Sequence, residues 1–118
     1  MVASQKIDFT TFSVSWSTPT LLNGWVNYGG GLAPARYKKD KFGVVWVQGM
    51  IKSGTTTGGT IIFNLPAGYR PAYSIGINIY TDQSSQSFMQ LQSNGNLICV
   101  QNVSANITGF NFSFIAEA

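Results

Sequence analysis

The chain has 118 residues, of which 14% are aromatic and only 9% charged, and it carries a formal net charge of +3 with no histidine and one cysteine. That length fits one domain, residues 1–118, and the charged fraction lies far below the roughly 25% of ordinary soluble domains. Without histidine the commonest general base and metal ligand is missing, and the lone Cys99 excludes an intrachain disulfide or a thiolate cluster. We therefore expect no metal, no cofactor and a surface of mostly neutral polar groups.

The N-terminal residues and the charge balance bear on location and partners. Residues 1–6 lack the apolar core of a signal peptide, and no apolar run approaches the roughly 18 residues of a membrane-spanning helix. We expect synthesis in the cytoplasm without a signal peptide. Four of the seven basic residues lie within residues 36–41. A nucleic-acid-binding protein usually has a broader basic face, so nucleic acid is not an expected partner.

Alternation of apolar and polar residues with period two dominates the chain. Val45, Val47 and Ile51 share one face of a predicted strand, and three phenylalanines alternate with other residues near the C-terminus. This pattern is typical of half-buried antiparallel strands, and no window has the period of a helix. About eight strands are predicted, in chain order at 7–16, 36–41, 44–52, 60–65, 73–80, 87–93, 96–102 and 110–115.

Turn residues separate these strands. Asn94-Gly95 is the strongest hairpin signal, and residues 53–59 form a longer Gly/Thr loop between two strands. Residues 66–71 contain two prolines and predict an irregular crossing, whereas residues 18–35 form one long irregular segment. Short strands at regular spacing predict a single antiparallel β-sandwich of the jelly-roll kind, with essentially no helix.

The side chains that enzymes need are scarce. The carboxylates are Asp8, Asp40, Asp82 and Glu117, and a glycosidase would require two of them in register across a bond. Cys99 lies inside an alternating strand, which favours a small buried side chain over a nucleophile. We expect no catalytic residue and no enzymatic activity.

Two groups of residues are candidates for ligand binding. Trp25 and Tyr28 precede three glycines and are able to stack on sugars from a loop; the alternative is that Trp25 closes one end of the core or an intersubunit seam. Tyr69 and Arg70 lie between the two prolines, where the guanidinium would bind a ligand. The structural alternative, which we favour, is that Tyr69 packs at the edge of the sandwich while Arg70 bonds nearby backbone carbonyls or stacks on an aromatic ring.

A third group is basic. Arg36, Lys38, Lys39 and Lys41 are candidates for contact with an anionic lipid surface or with teichoic-acid phosphate. The simpler interpretation is an edge strand protected from aggregation by its lysines.

Several motifs follow one another in an order that resembles known phage proteins. Residues 25–31 read Trp-x-Asn-Tyr-Gly-Gly-Gly, residues 44–54 read Val-Val-Trp-Val-Gln-Gly-Met-Ile-Lys-Ser-Gly, and residues 65–71 read Leu-Pro-x-Gly-Tyr-Arg-Pro. Over residues 25–118 the chain resembles the β-sandwich modules of phage tail-fibre and baseplate proteins. It is also similar to small Bacillus prophage proteins of the YomS kind and to the C-terminal domain of the lytic-cassette protein XepA.

The resemblance implies a C2-like or jelly-roll sandwich that forms a symmetric homo-oligomer, with a pentamer favoured over a trimer. It favours a non-enzymatic prophage accessory protein associated with host lysis or the cell envelope. Two alternatives remain: a carbohydrate-binding receptor module of a tail fibre, which the aromatic loops support, and a membrane-active lysis factor, for which Lys38, Lys39 and Lys41 would supply the electrostatic contact. Cell-wall glycan and an anionic membrane are then the external partners. The protein would be virion-associated or released on lysis.

Overall fold

The chain forms two antiparallel sheets that pack face to face. The structure, a computed structural model, describes residues 14–117, which contain nine strands and no helix, and hence none that could cross a membrane. The strands are β1 (Val26–Asn27), β2 (Arg36–Lys39), β3 (Val44–Lys52), β4 (Ile61–Asn64), β5 (Ile75–Asn78), β6 (Tyr80–Thr81), β7 (Phe88–Leu91), β8 (Asn96–Gln101) and β9 (Thr108–Ile115).

The first sheet, sheet A, is built around the two longest strands. β3 pairs with β9 from Val44 opposite Ile115 to Ile51 opposite Thr108. The short strands β1 and β2 follow one another along the free edge of β3, and β6 pairs with the outer edge of β9. Sheet A therefore has β1 and β2 at one edge and β6 at the other.

The second sheet, sheet B, has the order β4-β8-β7-β5. Its centre is the β7–β8 hairpin, whose turn is Asn94-Gly95, as the sequence predicts. Gly95 has φ +92°, a left-handed conformation that glycine adopts without steric cost. Because β4 and β5 lie at opposite edges, residues 65–74 cross the end of the sheet between them, which agrees with the predicted crossing.

Alternate side chains along the strands point between the two sheets and form the core. On β3 the side chains of Val45, Val47 and Ile51 are at most 1% exposed. Phe63 from sheet B and Phe110 from sheet A meet in the core with ring centroids 5.9 Å apart. The predicted inner faces of these strands are thus confirmed, as are the sandwich and the lack of helix.

The strand count differs from the prediction for local reasons. The predicted strand at 73–80 breaks at Ile79, so that β5 belongs to sheet B and β6 to sheet A. β1 has only two residues and lies within the predicted irregular segment. The predicted strand at 7–16 falls mostly outside the described residues, and Ser17, just after it, bridges to Tyr37 of β2.

Trp25 closes one end of the core. Its side chain is 2% exposed, its indole Nε1 donates a hydrogen bond to the Thr55 carbonyl at 3.2 Å, and its ring lies directly on the backbone of Gly54. A Cβ atom at Gly54 would come within 2.1–2.2 Å of the ring atoms. Only glycine leaves room for this buried indole.

We expect Gly54→Ala to lower the free energy of unfolding by about 1–3 kcal/mol, because the added methyl group forces Trp25 out of its packed position. Urea denaturation followed by tryptophan fluorescence measures the change. Gly58→Ala is the matched control, since its Cβ would meet only the Val100 carbonyl at 3.5 Å. Equal stability of the two variants would contradict this account of Gly54.

Candidate functional site

The four residues predicted as ligand-binding lie at two different ends of the sandwich. Trp25 and Tyr28 flank β1, which pairs with the end of β3 at Ile51 and Lys52. Tyr69 lies near Lys39, which pairs with the other end of β3. The two ends are separated by six or seven residues of β3, about 20 Å at 3.3 Å per residue. These residues do not converge on one site.

The aromatic loop supplies one accessible ring. Because Trp25 is buried, its ring has no free face for a sugar, and it takes the position that the alternative interpretation gave it at one end of the core. Tyr28 is 38% exposed, and the Lys52 ammonium lies 5.0 Å from the centroid of its ring. The three following glycines have positive φ, and a Cβ atom added at any of them would have no neighbour within 4 Å.

Hydrogen bonds to backbone carbonyls and to one asparagine side chain hold the Leu-Pro-x-Gly-Tyr-Arg-Pro segment in place. Arg70 Nε donates to the Leu65 carbonyl at 2.8 Å, and its Nη2 donates to Asn64 Oδ1 at 3.2 Å. The Leu65 N–H in turn donates to the Gly95 carbonyl. These contacts join the crossing to the β7–β8 hairpin. The Arg70 guanidinium therefore serves the fold, as the favoured interpretation expects.

The basic candidates separate because alternate residues of β2 face opposite sides. Arg36 and Lys38 lie on the outer face of sheet A, opposite Gln48 and Trp46. Lys39 faces the other way, where its Nζ donates to the Gly68 carbonyl at 2.8 Å and lies 5.1 Å from the Tyr69 ring centroid. Lys41 is exposed in the β2–β3 hairpin. The four residues do not form one patch.

Two of these cations and a tryptophan form what we call the basic edge: Trp16, Arg36 and Lys38. The Arg36 guanidinium carbon lies 4.2 Å and the Lys38 Nζ 4.5 Å from the centroid of the Trp16 ring. Arg36 Nε also donates to Gln48 Oε1 at 2.8 Å. Across residues 14–117 neither cation has a salt bridge to a carboxylate. The edge therefore presents two positive charges, preoriented by one ring.

Sequence reasoning missed Trp16 as a site residue. It lies in the segment assigned to the strand at 7–16, and its contact with β2 depends on the long-range bridge between Ser17 and Tyr37. No local pattern carries that pairing. The only signal available was an aromatic residue with serines on both sides, which is equally typical of an ordinary strand.

Asp40 organises the hairpin next to the basic edge. Its Oδ1 accepts hydrogen bonds from the N–H groups of Phe42 and Val44, and its Oδ2 accepts one from Trp46 Nε1 at 3.0 Å. Desolvation acts to raise the pKa of Asp40. The hydrogen bonds and the nearby Lys38 charge outweigh it, so the pKa lies below its ordinary value of 3.8.

We expect Asp40→Asn to destabilise the protein by about 1 kcal/mol at pH 7, a small value because water reaches the carboxylate. A lowered folded-state pKa means that the stabilisation is present above pH 3.8 and is lost as the pH falls through the folded value. Urea unfolding between pH 2 and pH 7 measures this dependence.

The difference in stability between Asp40→Asn and wild type should therefore shrink in acid. Glu117→Gln is the control for the general effect of removing one carboxylate. A difference between Asp40→Asn and wild type that is independent of pH would contradict the assignment.

A second surface feature lies at the opposite edge of sheet A. An open pocket of about 310 Å³ is formed by residues around β6 and the loop that follows it: Asn78, Ile79, Tyr80, Thr81, Gln83, Ser85, Gln86 and Ser87. Its lining contains no charged residue. Sequence patterns predict only a polar turn in this region, because the pocket exists only where the chain changes sheets.

Comparison with known proteins supports a phage origin. No family model matches the sequence, and no curated protein matches it. Among solved structures, the receptor binding protein gp15 of Listeria phage PSA is 27% identical with a TM-score of 0.63, over 88% of this chain and 67% of that one. The head domain of phage bIL170, a lactococcal phage, is 16% identical with a TM-score of 0.60, over 89% of this chain and all of that one.

These similarities bear on the predictions made from the motifs. The chain has the all-β sandwich fold of phage receptor-binding head domains, and the resemblance to phage tail-fibre modules is confirmed at that level. The similarity supports a phage structural protein associated with the virion. The likeness to YomS and XepA, with the pentamer and the lytic role that it implies, stays a prediction.

Proposed function

We propose that the protein is a non-enzymatic receptor-binding module of a phage particle, and that its basic edge binds phosphate groups of a glycan on the host cell wall. The basic edge is the observation that carries the proposal. Among residues 14–117, Arg36 and Lys38 converge on Trp16 and neither forms a salt bridge with a carboxylate, so their remaining N–H groups are available to anionic oxygens.

The physical arrangement suits a polymer better than a small anion. The three side chains are partly exposed on the outer face of sheet A, where a chain of repeating units can pass along them. Two cations held against one ring lose little side-chain entropy when they bind, because contact with the ring already restricts them. The similarity to phage receptor-binding proteins favours a host-surface partner over the alternatives of lysis and membrane action.

We expect the labelled protein to bind purified cell walls of Bacillus, Listeria or Lactococcus, and Lys38→Gln to weaken that binding about tenfold because one charge-assisted contact is lost. Lys52→Gln is the matched control, since Lys52 lies on the same outer face of sheet A at the far end of β3. Wild-type binding should also decrease as salt is raised. Sedimentation of walls with bound fluorescence measures the affinity.

The outcomes separate the candidate functions. Equal losses for the two lysine variants would contradict the basic edge as the contact site. Binding to liposomes of anionic lipid but to none of the walls would favour the membrane-active alternative. Binding that survives chemical removal of the phosphate-bearing wall polymer would exclude phosphate as the ligand group.

We also propose that the protein acts as a homo-oligomer. Phe42, Trp46 and Ile115 are 72%, 42% and 75% exposed and lie at one end of sheet A, where Val44 pairs with Ile115. Large apolar side chains grouped on a surface are typical of association sites. A low charge content across the chain lowers the repulsion between copies.

Light scattering coupled to size exclusion should give three or five times 12.8 kDa, a trimer favouring the tail-fibre likeness and a pentamer the lytic-cassette likeness. Ile115→Lys should shift the mass toward the monomer, because it places a charge in the seam. Tyr73→Lys, at a residue 82% exposed on the sheet B side, should not. A wild-type monomer at micromolar concentration would contradict self-association.

A further inference from the structure

The pocket beside β6 is formed where the chain passes from one sheet to the other. Asn78 ends β5 in sheet B, and Tyr80 begins β6 in sheet A. The partly buried Ile79 between them packs against the core. The following loop then folds back, and the Ile79 N–H donates to the Ser87 carbonyl at 3.3 Å. The pocket therefore lies at the edge of the sandwich, where the chain passes between the two sheets.

Buried hydrogen bonds hold the floor of this pocket in place. Ser87 is 7% exposed, its hydroxyl lies 2.7 Å from the Thr81 hydroxyl, and it donates to the Asn102 carbonyl at 2.9 Å. The Gln86 carbonyl accepts a hydrogen bond from Asn102 Nδ2, also at 2.9 Å. A loop anchored in this way is preorganised, so little ordering cost is left for binding.

The rim, in contrast, presents groups without partners. Tyr80 is 60% exposed, and Asn78 and Gln86 are exposed beside it. Across residues 14–117 the side chains of these three residues make no hydrogen bond. The rim therefore combines two amides, each with donors and an acceptor, with one aromatic ring and its hydroxyl.

The chemistry of these groups indicates the class of ligand. Amides and hydroxyls bind the hydroxyl groups of a sugar, and an exposed aromatic ring stacks on the apolar face of a pyranose. No cation lines the pocket, so an anionic group would find no opposite charge there. The nearest carboxylate in the loop, Asp82, accepts a hydrogen bond from Asn106 instead. The volume of about 310 Å³ suits one sugar ring.

We infer that this pocket, bordered by Asn78, Tyr80 and Gln86, is a binding site for an uncharged sugar residue, distinct from the basic edge. The inference rests on the proposed receptor-binding function, which it deepens by naming a second site and its ligand class. The two sites lie at opposite edges of sheet A and take different chemical groups.

Nitrogen-15 NMR titration of the full chain with glucose, galactose, rhamnose and N-acetylglucosamine tests the site. At least one of these sugars should shift the side-chain amide signals of Asn78 and Gln86 at millimolar concentration. Tyr80→Ala should weaken that binding about fivefold because the stacking ring is lost. Gln86→Ala should weaken it about threefold. Because the Gln86 side chain makes no hydrogen bond to residues 14–117, this variant should fold normally even if Tyr80→Ala does not.

Tyr73→Ala is the matched control, because Tyr73 is more exposed than Tyr80 and lies at the other end of β5. The inference is overturned if none of the four sugars shifts the side-chain amide signals of Asn78 and Gln86 at a concentration on the order of 100 mM, which would detect even very weak binding. It is also overturned if both pocket variants bind the sugar like wild type. Cell-wall binding is scored separately. If a sugar shifts the pocket signals but the protein does not bind cell walls, only the proposed function is rejected. If the protein binds cell walls but no sugar shifts the pocket signals, only the sugar site in the pocket is rejected.

Discussion

The pairing of β3 with β9 is the constraint on which the other elements depend. It joins eight residues of each strand at the centre of sheet A, and both strands send alternate side chains into the core. β1 and β2 are held only through β3, and β6 only through β9, among the strands that the structure describes. A slip of one residue would move Val45 and Val47 to solvent, so burial fixes the register.

That register also decides which cations face outward. Because Lys38 pairs with Trp46 and Lys39 with Val45, adjacent lysines of one sequence run serve different purposes. Lys38 reaches Trp16 on the outer face, whereas Lys39 secures the Gly68 carbonyl and the Tyr69 ring. The basic hexapeptide therefore places two cations on the outer face and uses a third to hold the Gly68 carbonyl, a division that its composition alone does not indicate.

The parts of the fold that the sequence predicts are those with a local physical cause. Alternation gives the inner faces of β3 and β9, Asn94-Gly95 gives the hairpin, and Cys99 is buried within its strand; burial raises its pKa to about 11, which leaves the thiol protonated near neutral pH. The break at Ile79 has no local signal, since residues on both sides alternate in the same way and only the partner sheet changes.

The candidate site was harder to predict because it depends on contacts between distant residues. Trp16 meets β2 through a bridge spanning 20 residues of chain, from Ser17 to Tyr37, and Trp25 is drawn into the core by Gly54, which alone admits its ring. An aromatic residue beside a glycine-rich loop has the same local pattern whether it is buried or exposed. Packing against another segment decides between the two.

Tyr80, at the rim of the uncharged pocket, faces the same side of sheet A as the basic edge, which constrains the kind of receptor that could engage both. Tyr80 pairs with Gly109, which pairs with Met50, a residue on the same outer face as Trp46. Three strand spacings, about 15 Å, separate β2 from β6. A polymer whose repeat carries both a phosphate and an uncharged sugar could contact the two sites of one copy. Each weak contact would then raise the effective concentration of the other, so that modest affinities at both sites suffice for stable attachment.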